Sequence, residues 1–217
     1  MHKEKLNSIE ILAHWQKRHA QSFNVIDVLQ AIKYIGDYKI ISRTKLAKLL
    51  NIGEGSIRTM IKRMKNLELI SIIKSGILLK EKGNSIYNIL IKYIKKEFEL
   101  PEIVFNKLTG QRHNYCLITS NLSEKIKKGI EERDTAIKFG ANILVTLVYK
   151  AGKFYFPDGF EFNGNYTECT RFLLNKTTYD EGDVIIISGS DNEKGAKNGA
   201  YAAFYNLLKK LIYFDFK

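Results

Sequence analysis

From Asn24 onward, apolar residues recur at helical spacing in three successive blocks. Val25, Val28, Leu29, Ile32 and Ile35 form the first, with Asn24 placed to cap it and Gly36 to stop it. Ser42 predicts the cap of a short helix that turns Leu46, Leu49 and Leu50 inward, and a turn through Asn51-Ile52-Gly53-Glu54-Gly55 follows. Ser56 predicts the cap of a third helix, Ile57 to Leu67. There Ile57, Met60, Ile61, Met64 and Leu67 share one face, and Arg58, Lys62 and Lys65 form a separate basic stripe. Ser71 to Lys74 and Ile77 to Lys80 predict a hairpin around Ser75-Gly76, and Glu81 to Phe98 a closing helix, to which Gly83 costs some stability. Helix, helix, helix, hairpin, helix is the order of a winged helix-turn-helix.

After Pro101 the rhythm changes. Tyr115 to Thr119 predicts a strand, Ser123 to Phe139 a mostly helical stretch ending at Gly140, and Ile143 to Tyr149 a strong strand. Ala151-Gly152 turns that strand into Lys153 to Phe156, and Pro157-Asp158-Gly159 makes a further turn. Glu168 to Leu174 predicts a short helix, Val184 to Ser188 a buried strand, and Glu193 to Ile212 a long terminal helix. The expected fold class is α+β: an N-terminal winged helix-turn-helix over residues 24–100 and a C-terminal mixed α/β, sandwich-like domain over residues 110–217. The boundary is placed between Glu99 and Gly110. Residues 1–23 form an extension in which Ile9, Ile11, Leu12 and Trp15 can line one helix edge, for a dimer interface or for packing onto the neighbouring domain.

Charge follows the same division. The chain has 217 residues and a net charge of +12, and residues 1–100 hold 19 Lys+Arg against 9 Asp+Glu while residues 101–217 hold 16 against 14. The excess belongs to the helix-turn-helix half, and a basic surface of that size attracts polyanions, double-stranded DNA first. No apolar run reaches the roughly 18 residues of a spanning helix, and the N-terminus lacks the continuous hydrophobic stretch of a secretory signal, so a cytoplasmic protein without membrane contact is expected.

The chemistry of the first half is that of groove recognition. Arg58, Thr59 and Lys62 are the expected readers of base edges, since Arg and Lys donate to guanine O6 and N7. Arg43, Lys45, Ser56, Arg63, Lys65 and Lys74 complete the expected contacts, with Lys45, Arg63 and Lys74 assigned to phosphates. The alternative for this stripe is a solvated helix face.

Two places in the second half can carry a small-molecule effector. Glu132, Arg133 and Asp134 crowd one helical turn and present a charged ligand site, or form a solvated face with internal ion pairs. Ser188, Gly189, Ser190, Asp191 and Asn192 precede a helix N-terminus, where free N–H groups favour an anion and the acids Asp191 and Glu193 oppose it. Gly195, Ala196, Gly199, Ala200, Ala202 and Ala203 also suit close approach of this helix to a sheet. Cys116 and Cys169 read as small buried hydrophobes; His113 precedes Cys116 at a spacing a metal can use, but without a second ligand pair. No catalytic residue, metal or cofactor is assigned. An enzyme acting on a small anionic metabolite would draw on Asp134, Asp183 or Asp191 with Arg133 as an anchor, and an RNA-associated or assembly role is the third reading.

Gly53-Glu54-Gly55-Ser56-Ile57-Arg58-Thr59, followed by Leu69-Ile70 and the wing, resembles the winged-helix domain of archaeal transcription regulators. The segments GIEERDTAIKFGA, TLVYKAGKFYFPDG and GDVIIISGSDNEKGAKNGAYAA resemble archaeal proteins that join this winged helix to a C-terminal domain of unknown function. The resemblance implies DNA binding, and the reading of the chain as a whole is a homodimeric transcription regulator. The resemblance implies no catalytic residues.

Overall fold

A computed structural model describes residues 23–214, with side chains to residue 211. Trp15 and the rest of the expected N-terminal helix lie outside the described residues. The chain divides into two compact units, Met1–Ile91 and Lys92–Lys217.

The first unit opens with α1, Val25–Tyr38. Asn24 caps it reciprocally: its Oδ1 accepts from the backbone N–H of Ile26 at 2.8 Å and of Asp27 at 3.2 Å, while Asp27 Oδ2 accepts from the Asn24 N–H at 2.7 Å. Gly36 does not stop this helix. It lies inside it and is small because a Cβ there would fall 2.2 Å from the ring of Tyr87. The stop comes at Lys39, whose φ of 64° breaks the helical path. Helix α2, Arg43–Leu50, starts at Ser42, whose Oγ accepts from the Lys45 N–H, and ends at Asn51 in the left-handed region.

Helix α3 spans Glu54–Asn66 with Gly53 at its N-cap, so Ser56 sits within the first turn rather than before it. The chain enters the helix earlier because Asn51 already closes α2 and Ile52 is buried beneath the turn. The hairpin pairs β1, Ile70–Ile73, with β2, Gly76–Leu79, in antiparallel register, with Lys74 and Ser75 as the two turn residues. Ile41 exchanges backbone hydrogen bonds with Ile77, which ties the α1–α2 connection to the wing.

Helix α4 covers Glu81–Tyr93 and stops short of the expected Phe98. Gly83 does more than weaken it: a Cβ there would lie 2.2 Å from the Leu69 carbonyl oxygen, so only glycine lets the helix approach the wing. Residues Ile94–Leu100 instead form strand β3. Both ends of this stretch, Ile94 and Leu100, are buried, Phe98 packs against the core between charged neighbours, and pairing with a neighbouring strand overrides the helical periodicity. The expected boundary between Glu99 and Gly110 therefore lies inside the second unit. Pro101 caps a further helix, α5, Glu102–Thr109, which the sequence pattern did not predict.

The second unit is a five-stranded antiparallel sheet in the order β3-β4-β7-β5-β6, with β4 at His113–Thr119, β5 at Ile143–Lys150, β6 at Lys153–Tyr155 and β7 at Val184–Ser190. Helices cover both faces. On one, Cys116, Ile118, Val145, Leu147, Ile185 and Ile187 pack with Phe105 of α5 and with Cys169 and Leu173 of α7, Thr167–Leu174. On the other lie α6, Ile130–Lys138, and α8, Glu193–Phe214. The expected long helix from Ser123 is thus only a 3-10 turn at Ser123–Lys125, then loop, then α6, because Gly129 takes a φ of 73°.

The small residues of α8 have the packing role the sequence allowed. A Cβ on Gly195 would lie 2.4 Å from the Gly140 carbonyl oxygen, and one on Gly199 would lie 2.4 Å from Ser188 Oγ. Cys116 and Cys169 are buried, and burial pushes the Cys169 thiol up to about 11 and the Cys116 thiol up further. His113 and Cys116 lie on opposite faces of β4, since residues three apart in a strand alternate sides. They cannot share a metal ion.

Candidate nucleic-acid interface

Helix α3 separates its two faces cleanly. Ile57, Met60, Ile61 and Met64 are buried, and burying four such side chains stabilises the unit by about 1.5–3 kcal/mol each before entropy is counted. The same turns leave Arg58, Thr59, Lys62 and Lys65 exposed. Helix α2 and the buried Ile52 hold the start of α3 in place, and the wing follows its C-terminus with Lys74 exposed in the turn.

The expected contacts differ in how freely they can reach out. Arg58 Nη2 donates to Glu54 Oε2 at 2.8 Å, with both side chains about 60% exposed, and Thr59 Oγ1 donates to the Gly55 carbonyl. Thr59 thus keeps its oxygen as an acceptor but spends its proton on the backbone. Lys62 and Lys65 project into solvent. Arg63 is half-buried, its guanidinium 6.0 Å from the Phe23 ring centre, which draws it back from the outer face. Lys45 lies 3.8 Å from the ring centre of Tyr38, Arg43 is exposed on the first turn of α2, and Ser56 is half-buried. Sequence periodicity places the stripe; it does not show that Glu54 sits one turn before Arg58 within the same helix, because a cap at Ser56 starts the helix three residues too late.

The second-half candidates separate. Glu132 is buried, 1% exposed, and Lys210 of α8 donates to its Oε1 at 2.6 Å. Lys210 also lies 2.6 Å from Glu131, and its hydrogen bond and then its charge hold the Glu131 carboxyl below the usual range. Burial acts to lower Lys210 itself, but the hydrogen bonds and charges of both carboxylates outweigh it, so its pKa is raised. Arg133 and Asp134 pair with each other at 3.2 Å on the exposed side. Only Arg133 and Asp134 of this trio therefore face solvent.

Ser190 belongs to strand β7, 1% exposed, and donates to the Gly140 carbonyl at 2.8 Å. Asn192 caps α8 by accepting from the Gly195 N–H at 2.8 Å, filling the terminus with its own side chain. Asp191 is exposed beside it. Ser190 anchors beyond the C-terminal end of α6, whereas Arg133 lies in its first turns, so the two groups do not form one site.

Residues 26–94 match the family model of the CggR N-terminal DNA binding domain, and residues 110–207 match that of a domain of unknown function, DUF4443. The chain pairs a DNA-binding domain with a domain of unknown function. Among solved structures, hypothetical protein PH0730 from Pyrococcus horikoshii OT3 is similar at 26% identity, over 88% of this chain and 95% of that one, with a TM-score of 0.65. No curated protein matches. The match to the DNA-binding domain spans α1 to α4, so the basic face of α3 lies within it. No described helix is long and apolar enough to cross a membrane, and no described cluster of three or more His, Cys, Asp or Glu residues suits a metal ion.

Proposed function

We propose that this chain is an archaeal-type, sequence-specific transcription regulator that acts in the cytoplasm as a homodimer. In this reading α3 enters the major groove, Arg58, Thr59 and Lys62 read base edges, and Ser56 and Lys65 steady the helix against the backbone. Arg43, Lys45, Arg63 and Lys74 contact phosphates from the neighbouring elements. The C-terminal domain senses a small molecule or mediates assembly, and two copies set their recognition helices about one DNA turn apart, roughly 34–36 Å.

The observation that carries the reading is the division of α3: four buried apolar residues fix one face while Arg58, Thr59, Lys62 and Lys65 stand exposed on the other, within a stretch that matches a DNA-binding domain. Lys and Arg on a solvated face are common, but here a wing and a preceding capped helix accompany that face, as in a winged helix-turn-helix.

The test is selection of genomic fragments by the purified full chain near physiological salt, followed by titration of an enriched duplex against a scrambled one. An enriched common site bound more tightly than its scramble, with the preference persisting as salt rises, is the expected result. Salt-labile binding alike on all duplexes overturns sequence-specific regulation. Light scattering of the free and bound protein checks the dimer.

A further inference from the structure

A pocket of about 220 Å³ opens at the start of α6, between that helix, strand β5 and the turn after β6. Its walls combine an apolar surface, including Phe156, with the side chains of Lys128, Arg133, Thr146 and Asp158. We propose that this pocket binds a small organic anion, a carboxylate carried on an apolar body.

The start of α6 is open to such a group. Gly129 caps the helix with no side-chain hydrogen bond, leaving the N–H groups of the first turn available. Lys210 bonds both acids of that turn, Glu131 and Glu132, at 2.6 Å and so offsets one of their two negative charges. Gly129 lines the pocket at a φ of 73° that favours glycine, and a Cβ there would be in ordinary contact with Pro157 at 3.4 Å and Thr146 Oγ1 at 3.8 Å.

Thr146 supplies the independent observation. It is 6% exposed on β5, it lines the pocket, and its hydroxyl forms no hydrogen bond with another described residue. A hydroxyl that has no partner within the protein and opens onto a cavity can be satisfied by what enters it. Lys128 is exposed and makes no ion pair with a described residue, while Arg133 spends only one edge, on Asp134.

Charge sets the ligand class. Lys128 and Arg133 against Asp158 leave the lining with one net positive charge, which suits a single carboxylate better than a polyphosphate. Asp158, exposed at the lining, accepts from the Phe160 N–H through Oδ1 at 3.1 Å. The apolar wall requires a body beyond the charged group.

The test is benzoate titrated into isotopically labelled full-length protein, with benzamide as the neutral isostere and inorganic phosphate as the bare anion, followed by amide NMR. Saturable shifts at Ile130, Glu131, Glu132 and Thr146 are expected with benzoate, and binding of benzamide and phosphate weaker by about tenfold. Arg133→Gln and Lys128→Gln change exposed side chains, and Arg133→Gln should weaken benzoate by about tenfold; Thr146→Val should weaken it by about threefold to tenfold. No saturable shift at these amides up to about 10 mM benzoate, weaker than any useful affinity, overturns the proposal. So does benzoate binding that Arg133→Gln and Lys128→Gln both leave unchanged, and equal binding of phosphate overturns the organic part of it. These readouts involve no DNA, so they fail or succeed separately from the regulator reading.

Discussion

Helices α3 and α6 are both short, charged and flanked by glycine, yet they dispose of their charge in opposite ways. On α3 Arg58, Lys62 and Lys65 stand outward, and among these three only Arg58 has a carboxylate partner within the helix, one turn away. On α6 the most acidic turn is half neutralised from outside the helix, because Lys210 arrives from α8 to hold Glu131 and Glu132 together. A run of charge in a sequence therefore says little until the location of its counter-charge is known. The surplus on α3 is left for a partner; half of the surplus on the first turn of α6 is consumed within the fold.

The largest expected effect breaks the α6 side of this contrast. Lys210→Met leaves the Glu132 carboxylate, 1% exposed, without its cation, and should destabilise the second unit by about 3–5 kcal/mol in denaturant unfolding. Adding Glu132→Gln should recover part of that loss, since the double variant no longer buries an unpaired charge. The acid limb should change too. Glu131 has a lowered pKa in the fold, so its contribution is present above the ordinary carboxylate range and is lost as pH falls through the lowered value. In Lys210→Met the Glu131 titration, followed by NMR, should move upward, toward the ordinary value.

Such counter-charges explain which parts of the molecule were legible in advance. Helix α1, the capped α2, the basic face of α3 and the wing were readable because caps, turns and one-sided periodicity are local signals. The strand β3 was not, because Ile94 to Leu100 follows an amphipathic helix without a break and only its partner β4 makes it a strand. The buried role of Glu132 was equally hidden: its cation lies 78 positions away. Likewise, Ser190 and Asn192 looked like anion ligands because nothing in the sequence showed that Gly140 and Gly195 would take their hydrogen bonds. Local pattern finds elements and exposed stripes; long-range pairing decides which charged groups remain free.

The α3 side should respond in binding rather than in stability. Arg58→Ala or Lys62→Ala should each cost about 1–3 kcal/mol of affinity for the selected site and relax discrimination at one base pair. Their unfolding free energies should stay within about 0.5 kcal/mol of the parent, since these side chains are exposed. If both variants bind and discriminate as the parent does, α3 is a solvated face like any other and the contrast with α6 loses its functional meaning. Lys74→Ala in the wing turn is a smaller change: it should weaken all duplexes alike and lower the slope of log affinity against log salt by about one.

The smallest effect is the most discriminating, because it adds cationic surplus to α3 instead of removing it. Glu54→Gln deletes the partner of Arg58 and should cost the helix about 0.3–0.5 kcal/mol as an exposed i,i+4 pair, with a similar small loss from an acid removed at the helix N-terminus. DNA affinity should nevertheless rise slightly at low salt, since one negative charge leaves the face that meets phosphates and Arg58 no longer has to exchange a carboxylate for a base edge. Stability and binding then move in opposite directions from a single substitution. That outcome, read by thermal unfolding and by duplex titration on the same sample, is what a face held ready for a polyanion predicts. A parallel loss of both would mean that Glu54 positions Arg58 for its contact rather than competing for it.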